Sequence, residues 1–83
     1  MVSLNTLITN TLNSHNISFN YSYGEFCTPH FIINTNLGYI EDTYTGEILL
    51  ETNNNDSLLD YLEIIPAIHS SLEITHKEMK EVL

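Results

Sequence analysis

The sequence predicts an α+β fold: a small single domain with an antiparallel sheet of three to four strands and helices packed on one face. Two observations lead to it. Apolar residues recur at helical spacing at the start of the chain and again in its last third. Between them lie short alternating or β-branched runs separated by Gly, Asn and Pro. Strands grouped together, with helices before and after, fit an antiparallel sheet better than the strand–helix alternation of a parallel one. The 83 residues leave room for one core. A chain of this size buries ~60–65% of its unfolded surface, which leaves a narrow stability margin.

Ser3 is placed to cap a first helix whose apolar positions Leu4, Leu7, Ile8 and Leu12 share one face. The helix is expected to stop near His15, with Asn16 left-handed and Ile17 packing back. Ile17, Phe19, Tyr21 and Tyr23 alternate with polar residues and predict a strand ended by Gly24, with Tyr21 and Tyr23 filling the core, hydroxyls outward. After Pro29, Phe31-Ile32-Ile33 predicts a second strand buried on both faces, and Asn34-Thr35-Asn36 with Gly38 is turn chemistry.

Tyr39 to Glu51 predicts a hairpin. A three-residue loop, Tyr44-Thr45-Gly46, pairs Thr43 with Glu47, Glu41 with Leu49 and Tyr39 with Glu51. That register puts Ile40, Ile48 and Leu50 on the inner face, and Tyr39, Glu41, Thr43, Glu47, Leu49 and Glu51 on the outer one. A four-residue loop sets Ile48 opposite Glu41 and mixes the faces, so the shorter loop is preferred. Asp42 falls on the apolar side near the tip, where its carboxylate can accept turn amides.

Asn53-Asn54-Asn55 reads as a linker. Asp56 or Ser57 then caps a helix with Leu58, Leu59, Leu62 and Ile65 inward and Asp60 and Glu63 outward, ending before Pro66. Residues 67–74 fit either a helix (Ile68 with Leu72) or a short strand (Leu72 with Ile74). Thr75-His76-Lys77-Glu78 has the form of a capping box opening a last helix with Met79, Val82 and Leu83 on one side.

Charge is the most uneven property of the chain. Eleven carboxylates stand against Lys77 and Lys80, there is no Arg, and the net charge is −9. Asn, Ile and Tyr are abundant, as AT-rich coding produces, yet the same bias should have supplied Lys; the depletion of positive charge is therefore specific. Such a surface repels nucleic acid and anionic membranes and favours a basic partner. Cys27 is the single cysteine, which excludes an internal disulfide and fits a reducing, cytoplasmic setting. No signal peptide or membrane span is read, because Leu4, Leu7, Ile8 and Leu12 are interleaved with Asn and Thr.

Between Glu41 and Glu63 all charge is of one sign: Glu41, Asp42, Glu47, Glu51, Asp56, Asp60 and Glu63. Strands ~4.8 Å apart, with same-face residues ~6.8 Å apart along each, make Glu41, Glu47 and Glu51 a fixed array of charge. Asp60 and Glu63 extend it if the next helix flanks the sheet. The bland alternative is a solvated face that serves solubility. Cys27-Thr-Pro-His30 with His69 and His76, or His15, is half of a zinc pattern whose other half lacks characteristic spacing, so no metal or other cofactor is expected. Cys27 is read instead as a small buried hydrophobe, and the histidines as surface residues or caps. No signature flanks a Cys–His nucleophile pair, and three glycines form no phosphate-cradling loop, so no catalytic residues are assigned.

Asp42-Thr-Tyr-Thr-Gly-Glu-Ile-Leu49 resembles the closing hairpin of PepSY-type propeptide domains, which often read Asp-x-x-Thr-Gly-Glu-Val-Leu. The resemblance covers about a tenth of the chain and implies a hairpin and, by the association of those domains with protease restraint, a binding or inhibitory module. In overall profile the chain is similar to small acidic phage inhibitors, including DNA mimics and some anti-CRISPR proteins. The expectation is a non-enzymatic phage or mobile-element inhibitor that occupies a basic, nucleic-acid-binding surface of a host defence or DNA-processing protein. Glu41, Glu47, Glu51, Asp60 and Glu63 would supply charge, and Tyr39, Thr43 and Leu49 shape. The alternative is a structural or regulatory module that self-associates, as a homodimer for instance, through its uncharged N-terminal segment and sheet edge.

Overall fold

The computed structural model describes residues 3–51 and 58–82, with the backbone alone at 58–60 and 82. Helix α1 (Leu4–Ser14) begins where Ser3 Oγ accepts the Thr6 amide at 3.2 Å. It ends as its sequence predicts. Asn16 turns left-handed (φ 57°), its amide meets the Asn13 carbonyl at 3.1 Å, and the Ile17 amide reaches Leu12 at 2.9 Å. Ile8 and Leu12 are fully buried, and Ile17 folds back beneath them into the same core.

Five strands follow, β1 (Asn20–Ser22), β2 (Glu25–Cys27), β3 (Phe31–Asn34), β4 (Tyr39–Asp42) and β5 (Ile48–Glu51), joined in sequence order into one antiparallel meander. The sheet thus has five strands rather than three to four. The extra strand arises at Gly24, which ends β1 as expected but does so in a two-residue turn with Tyr23 that leads straight into β2. Both have positive φ (51° and 79°), and Ser22 pairs with Glu25. A tyrosine at a left-handed position conceals this turn, because Asn or Gly is the usual occupant. Tyr23 is accordingly 94% exposed and fills no core. Tyr21 is half exposed; its ring lies 4.7 Å from Phe26 and its hydroxyl accepts the Asn5 side-chain amide at 2.9 Å.

The β3–β4 and β4–β5 hairpins share one loop design. Asn34-Thr35-Asn36-Leu37-Gly38 and Asp42-Thr43-Tyr44-Thr45-Gly46 each close with the Gly amide on the carbonyl four residues back, at 2.9 and 2.8 Å. In each, the first side chain accepts an amide inside the loop: Leu37 N–H to Asn34 Oδ1 at 2.8 Å, and Tyr44 N–H to Asp42 Oδ1 at 2.7 Å. Gly38 and Gly46 take the left-handed position that closes the turn. The second loop is therefore four residues long, with the Asp42 amide donating to the Glu47 carbonyl at 2.8 Å, and it sets Glu41 opposite Ile48. The three-residue loop is wrong. A bulge then restores the expected pairs Ile40–Leu50 and Tyr39–Glu51. Leu49 is the extra residue, and it packs half-buried against the core beside Leu50 instead of facing outward. Ile48 moves the other way, from the expected inner face to 45% exposure.

Helix α2 (Leu58–Val82) runs unbroken for 25 residues with Pro66 inside it. The stop before Pro66, the strand option for 67–74 and the capping box at Thr75–Glu78 are all overturned. Tyr61, Ile65, Ile68, Leu72 and His76 recur at steps of four, three, four and four, one stripe that crosses the proline without a break in phase. Burial of that stripe offsets the ~3 kcal/mol that an interior proline costs through its missing amide and ring clash. Among the described side chains of the first turns Tyr61 is deeply buried, and Leu62 packs half-buried against the core. The expected cap at Asp56 or Ser57, the linker at 53–55, and the side chains of Leu58, Leu59, Asp60, Val82 and Leu83 lie outside the described residues.

Both helices lie against one face of the sheet. The core joins Ile8 and Leu12 of α1 and Tyr61, Ile65 and Leu72 of α2 to Phe26, Phe31, Ile33 and Ile40 of the strands. Among the described residues no helix is long and apolar enough to cross a membrane.

Gly24 and Gly46 share a positive φ but differ in surroundings. A Cβ on Gly24 would run into the side-chain amide of Asn36, whereas one on Gly46 meets nothing within 4 Å. Asn36 is exposed, so its side chain has room to swing aside. Urea unfolding is expected to show Gly24→Ala and Gly46→Ala each costing about 1–2 kcal/mol, the cost of a left-handed alanine. A loss well above that at Gly24 would mean that Asn36 is held in place. Pro66→Ala is expected to stabilise the fold by about 1–3 kcal/mol; a loss of stability would contradict a continuous α2.

Candidate functional site

Strand alternation sends Phe26, Ile33 and Ile40 toward the helices and their neighbours to the opposite face. On that opposite face the register aligns two rows across all five strands. One is Ser22-Glu25-Asn34-Tyr39-Glu51, the other Asn20-Cys27-Ile32-Glu41-Ile48. Neither described helix packs on this face, where Ile32 and Cys27 are half-buried rather than enclosed, while Asn34 in the same face is buried, its side chain accepting the Leu37 amide of the β3–β4 loop. Three carboxylates, Glu25, Glu41 and Glu51, share the face with the apolar groups of Ile32, Ile48 and Tyr39. Glu41 and Glu51 sit on neighbouring strands two residues out of line, roughly 8 Å apart by sheet geometry. Lys77 and Lys80 are exposed on α2, in the helical layer, so no described cation interrupts this face.

The residues singled out by sequence divide accordingly. Tyr39, Glu41 and Glu51 belong to the uncovered face, and Glu25 joins them. Glu47 is exposed beside the turn. Glu63 is exposed on α2, in the other layer, and does not extend the array; Asp60 cannot be placed, its side chain being outside the described set. Thr43 is exposed, but its hydroxyl donates to the Pro29 carbonyl at 3.2 Å and its amide to the His30 carbonyl at 3.1 Å, tying the hairpin tip to the β2–β3 turn. Leu49 serves the core.

At the other end of β4 is a group of which sequence reading found one member, Asp42 as an inward acceptor of turn amides, and missed the histidines. Asp42 is 4% exposed on the inner face. One of its oxygens, Oδ1, accepts the Tyr44 amide at 2.7 Å, the Thr45 amide at 3.3 Å and His76 Nε2–H at 2.9 Å. The His76 ring, 4% exposed on α2, reaches on through Nδ1 to His30 Nδ1 at 3.0 Å. The acceptor Asp42 fixes the tautomers. With His76 donating from Nε2, its Nδ1 holds a lone pair, and His30 Nδ1–H must donate to it when both rings are neutral. The His69 ring stands 5.6 Å from His30, and its Nε2 lies 3.3 Å from Glu73. The Tyr44 ring stacks 5.2 Å from His76.

His30, His69 and His76 are therefore neither surface residues nor caps, whereas His15, exposed at the C-cap of α1, is both. His76 in particular is an interior hydrogen-bonding link, and its place at the end of the Tyr61–Ile65–Ile68–Leu72 stripe is the signal that could have revealed it. Among the described residues no group of three or more His, Cys, Asp or Glu side chains has a metal-holding geometry. Cys27 in particular lies on the uncovered face, away from the inward-facing Asp42–His76 link.

The titration of the network follows from its surroundings. Burial alone would raise the Asp42 pKa, but the amides of Tyr44 and Thr45 and the His76 ring outweigh it and hold the carboxyl below its ordinary 3.8. His30 is lowered from 6.5, first by burial and then by the neighbouring imidazoles His76 and His69. No protein-family model, curated protein or solved structure was found to match the chain.

Both shifts have the same sign for stability. A depressed folded pKa means that the unfolded chain binds the proton more readily, so stability falls as pH falls. His30's contribution is complete above 6.5 and declines below it; Asp42's is complete above 3.8 and is lost as pH drops through its lower folded value. Urea midpoints measured against pH are expected to fall in those two windows. Asp42→Ala, which strands two amides and a buried imidazole, is expected to cost about 2–4 kcal/mol. The equivalent Asn34→Ala, which frees one amide in a similar loop, is expected to cost about 1 kcal/mol.

Proposed function

We propose that the chain is a non-enzymatic binding protein that docks the uncovered face of its sheet on a basic protein surface. In its most concrete form it is a phage or mobile-element inhibitor, in the manner of a DNA mimic or anti-CRISPR protein, that occupies the nucleic-acid site of a defence or DNA-processing protein. The observation that carries this reading is the face itself. Glu25, Glu41 and Glu51 stand at positions set by the strand register, around Ile32, Ile48 and Tyr39, with both lysines in the other layer. Charge on a rigid sheet loses little side-chain freedom on binding compared with charge on a loop, and the apolar centre supplies contact area that charge alone does not. A net charge of −9 adds long-range attraction to a cationic partner and excludes nucleic acid from the same surface.

A second reading is carried by β1. All three of its residues are exposed and uncharged, and it forms one edge of the sheet. Two copies pairing through that edge would make a homodimer whose acidity serves only solubility.

The test uses a partner recovered from a bacterial lysate and then purified. Its affinity is expected to fall steeply as salt rises from about 50 to 500 mM. Combined Glu25→Gln, Glu41→Gln and Glu51→Gln changes should weaken binding about 10–100-fold, Glu63→Gln should leave it within about twofold, and duplex DNA should compete. Affinity indifferent to salt and to the triple change would end this reading. Light scattering that finds a dimer abolished by substitution at Tyr21 would favour the second.

A further inference from the structure

The network of Asp42, His76 and His30 joins three separate pieces of the fold: the β4–β5 hairpin, α2, and the turn between β2 and β3. His76 is also the last buried side chain of α2 among the described residues; beyond it only Met79 is half-buried. Among the described side chains, the C-terminal half of the helix is thus held by Leu72, by half-buried Ile68 and by a hydrogen bond.

The proton count of the two imidazoles decides whether that bond can exist. With both rings neutral, His30 Nδ1–H donates to His76 Nδ1. With one added proton the bridge survives, because one Nδ1 still carries a lone pair; the new charge lies either on His76, against the Asp42 carboxylate, or on His30, one ring further away. With two added protons both Nδ1 atoms are donors 3.0 Å apart, with no acceptor between them and like charges on both rings. We propose that Asp42, His76 and His30 form a proton-operated latch, which clamps the C-terminal half of α2 to the sheet while at most one imidazole is charged and frees it when both are.

The groups that face the pair work in both directions. His69 and Lys80 on α2 oppose a charge on His30, while Glu73 on α2 favours it. Asp42 and the Tyr44 ring, both from the hairpin, are the groups that stand against His76. Because the rings interact directly, they are expected to titrate in two macroscopic steps belonging to the pair.

Amide hydrogen exchange read by NMR tests this. Between about pH 7.5 and about pH 5, after correction for intrinsic exchange, opening of the amides at 70–80 is expected to rise at least about tenfold, while those of β3 change by less than about twofold. In His30→Gln, which cannot take the second charge, the rise at 70–80 is expected to disappear. An unchanged α2 in the wild-type chain, an equal rise in β3, or the same rise in His30→Gln would each overturn the latch. If His30→Gln does not fold, imidazole nitrogen shifts of the wild-type chain decide. Release coincident with the lower of two steps supports the proposal, and release at the upper step, or at neither, contradicts it.

Discussion

The burial of Asp42 is the constraint on which the rest of the structure depends. A carboxylate in the interior is tolerated only when its lone pairs are taken up, and here a single oxygen receives two turn amides and an imidazole. Those acceptances impose geometry in two directions. The amides require the four-residue loop from Thr43 to Gly46, which determines how β5 leaves the turn. The imidazole requires that α2 pass over the end of β4 with His76 facing down. One side chain thereby links the local conformation of a hairpin to the placement of the longest helix.

The consequences reach the opposite side of the sheet. Because the loop has four residues, Ile48 pairs with Glu41 and faces away from the helices. Without a correction, every later residue of β5 would be on the wrong face. The bulge at Leu49 supplies the correction, returning Leu50 to the core and Glu51 to the outer face beside Tyr39. The mixed acidic and apolar surface on which the proposed binding rests is therefore a product of turn chemistry. The apolar centre at Ile32 and Ile48 exists because of that loop.

Much of this was legible in the sequence where one residue type has one physical use. Ser3 as a cap, Asn16 as a left-handed terminator and Asp42 as an acceptor of turn amides all follow from local chemistry. So does the grouping of strands between two helical regions. What was not legible depended on tertiary context. Tyr23 in a left-handed turn, and Pro66 within a helix, go against local preference and are carried by pairing and packing. The paired loops Asn34-Thr-Asn-Leu-Gly38 and Asp42-Thr-Tyr-Thr-Gly46 were a readable signal, since both combine an Asn or Asp, a Thr two residues or fewer away, and a Gly four residues on. The histidine network was hidden because His30, Asp42 and His76 are distant in sequence; only the stripe ending at His76 pointed inward. Of the candidate surface, Tyr39, Glu41 and Glu51 were foreseeable from alternation, while Glu25 depended on a strand concealed by its turn.

The acidic outer face and the buried Asp42–His76 tie share β4, whose residues alternate between the two: Tyr39 and Glu41 outward, Ile40 and Asp42 inward. The measurement that bears most directly on this account is a double-mutant cycle between Asp42 and His76, using Asp42→Asn and His76→Gln and read by urea unfolding at neutral pH. A charged, buried hydrogen bond that links the turn to α2 predicts a coupling energy of about 1–3 kcal/mol between the two sites. Additive losses, with coupling below about 0.5 kcal/mol, would mean that the hairpin and the helix take up their positions independently and that Asp42 is not the link between them.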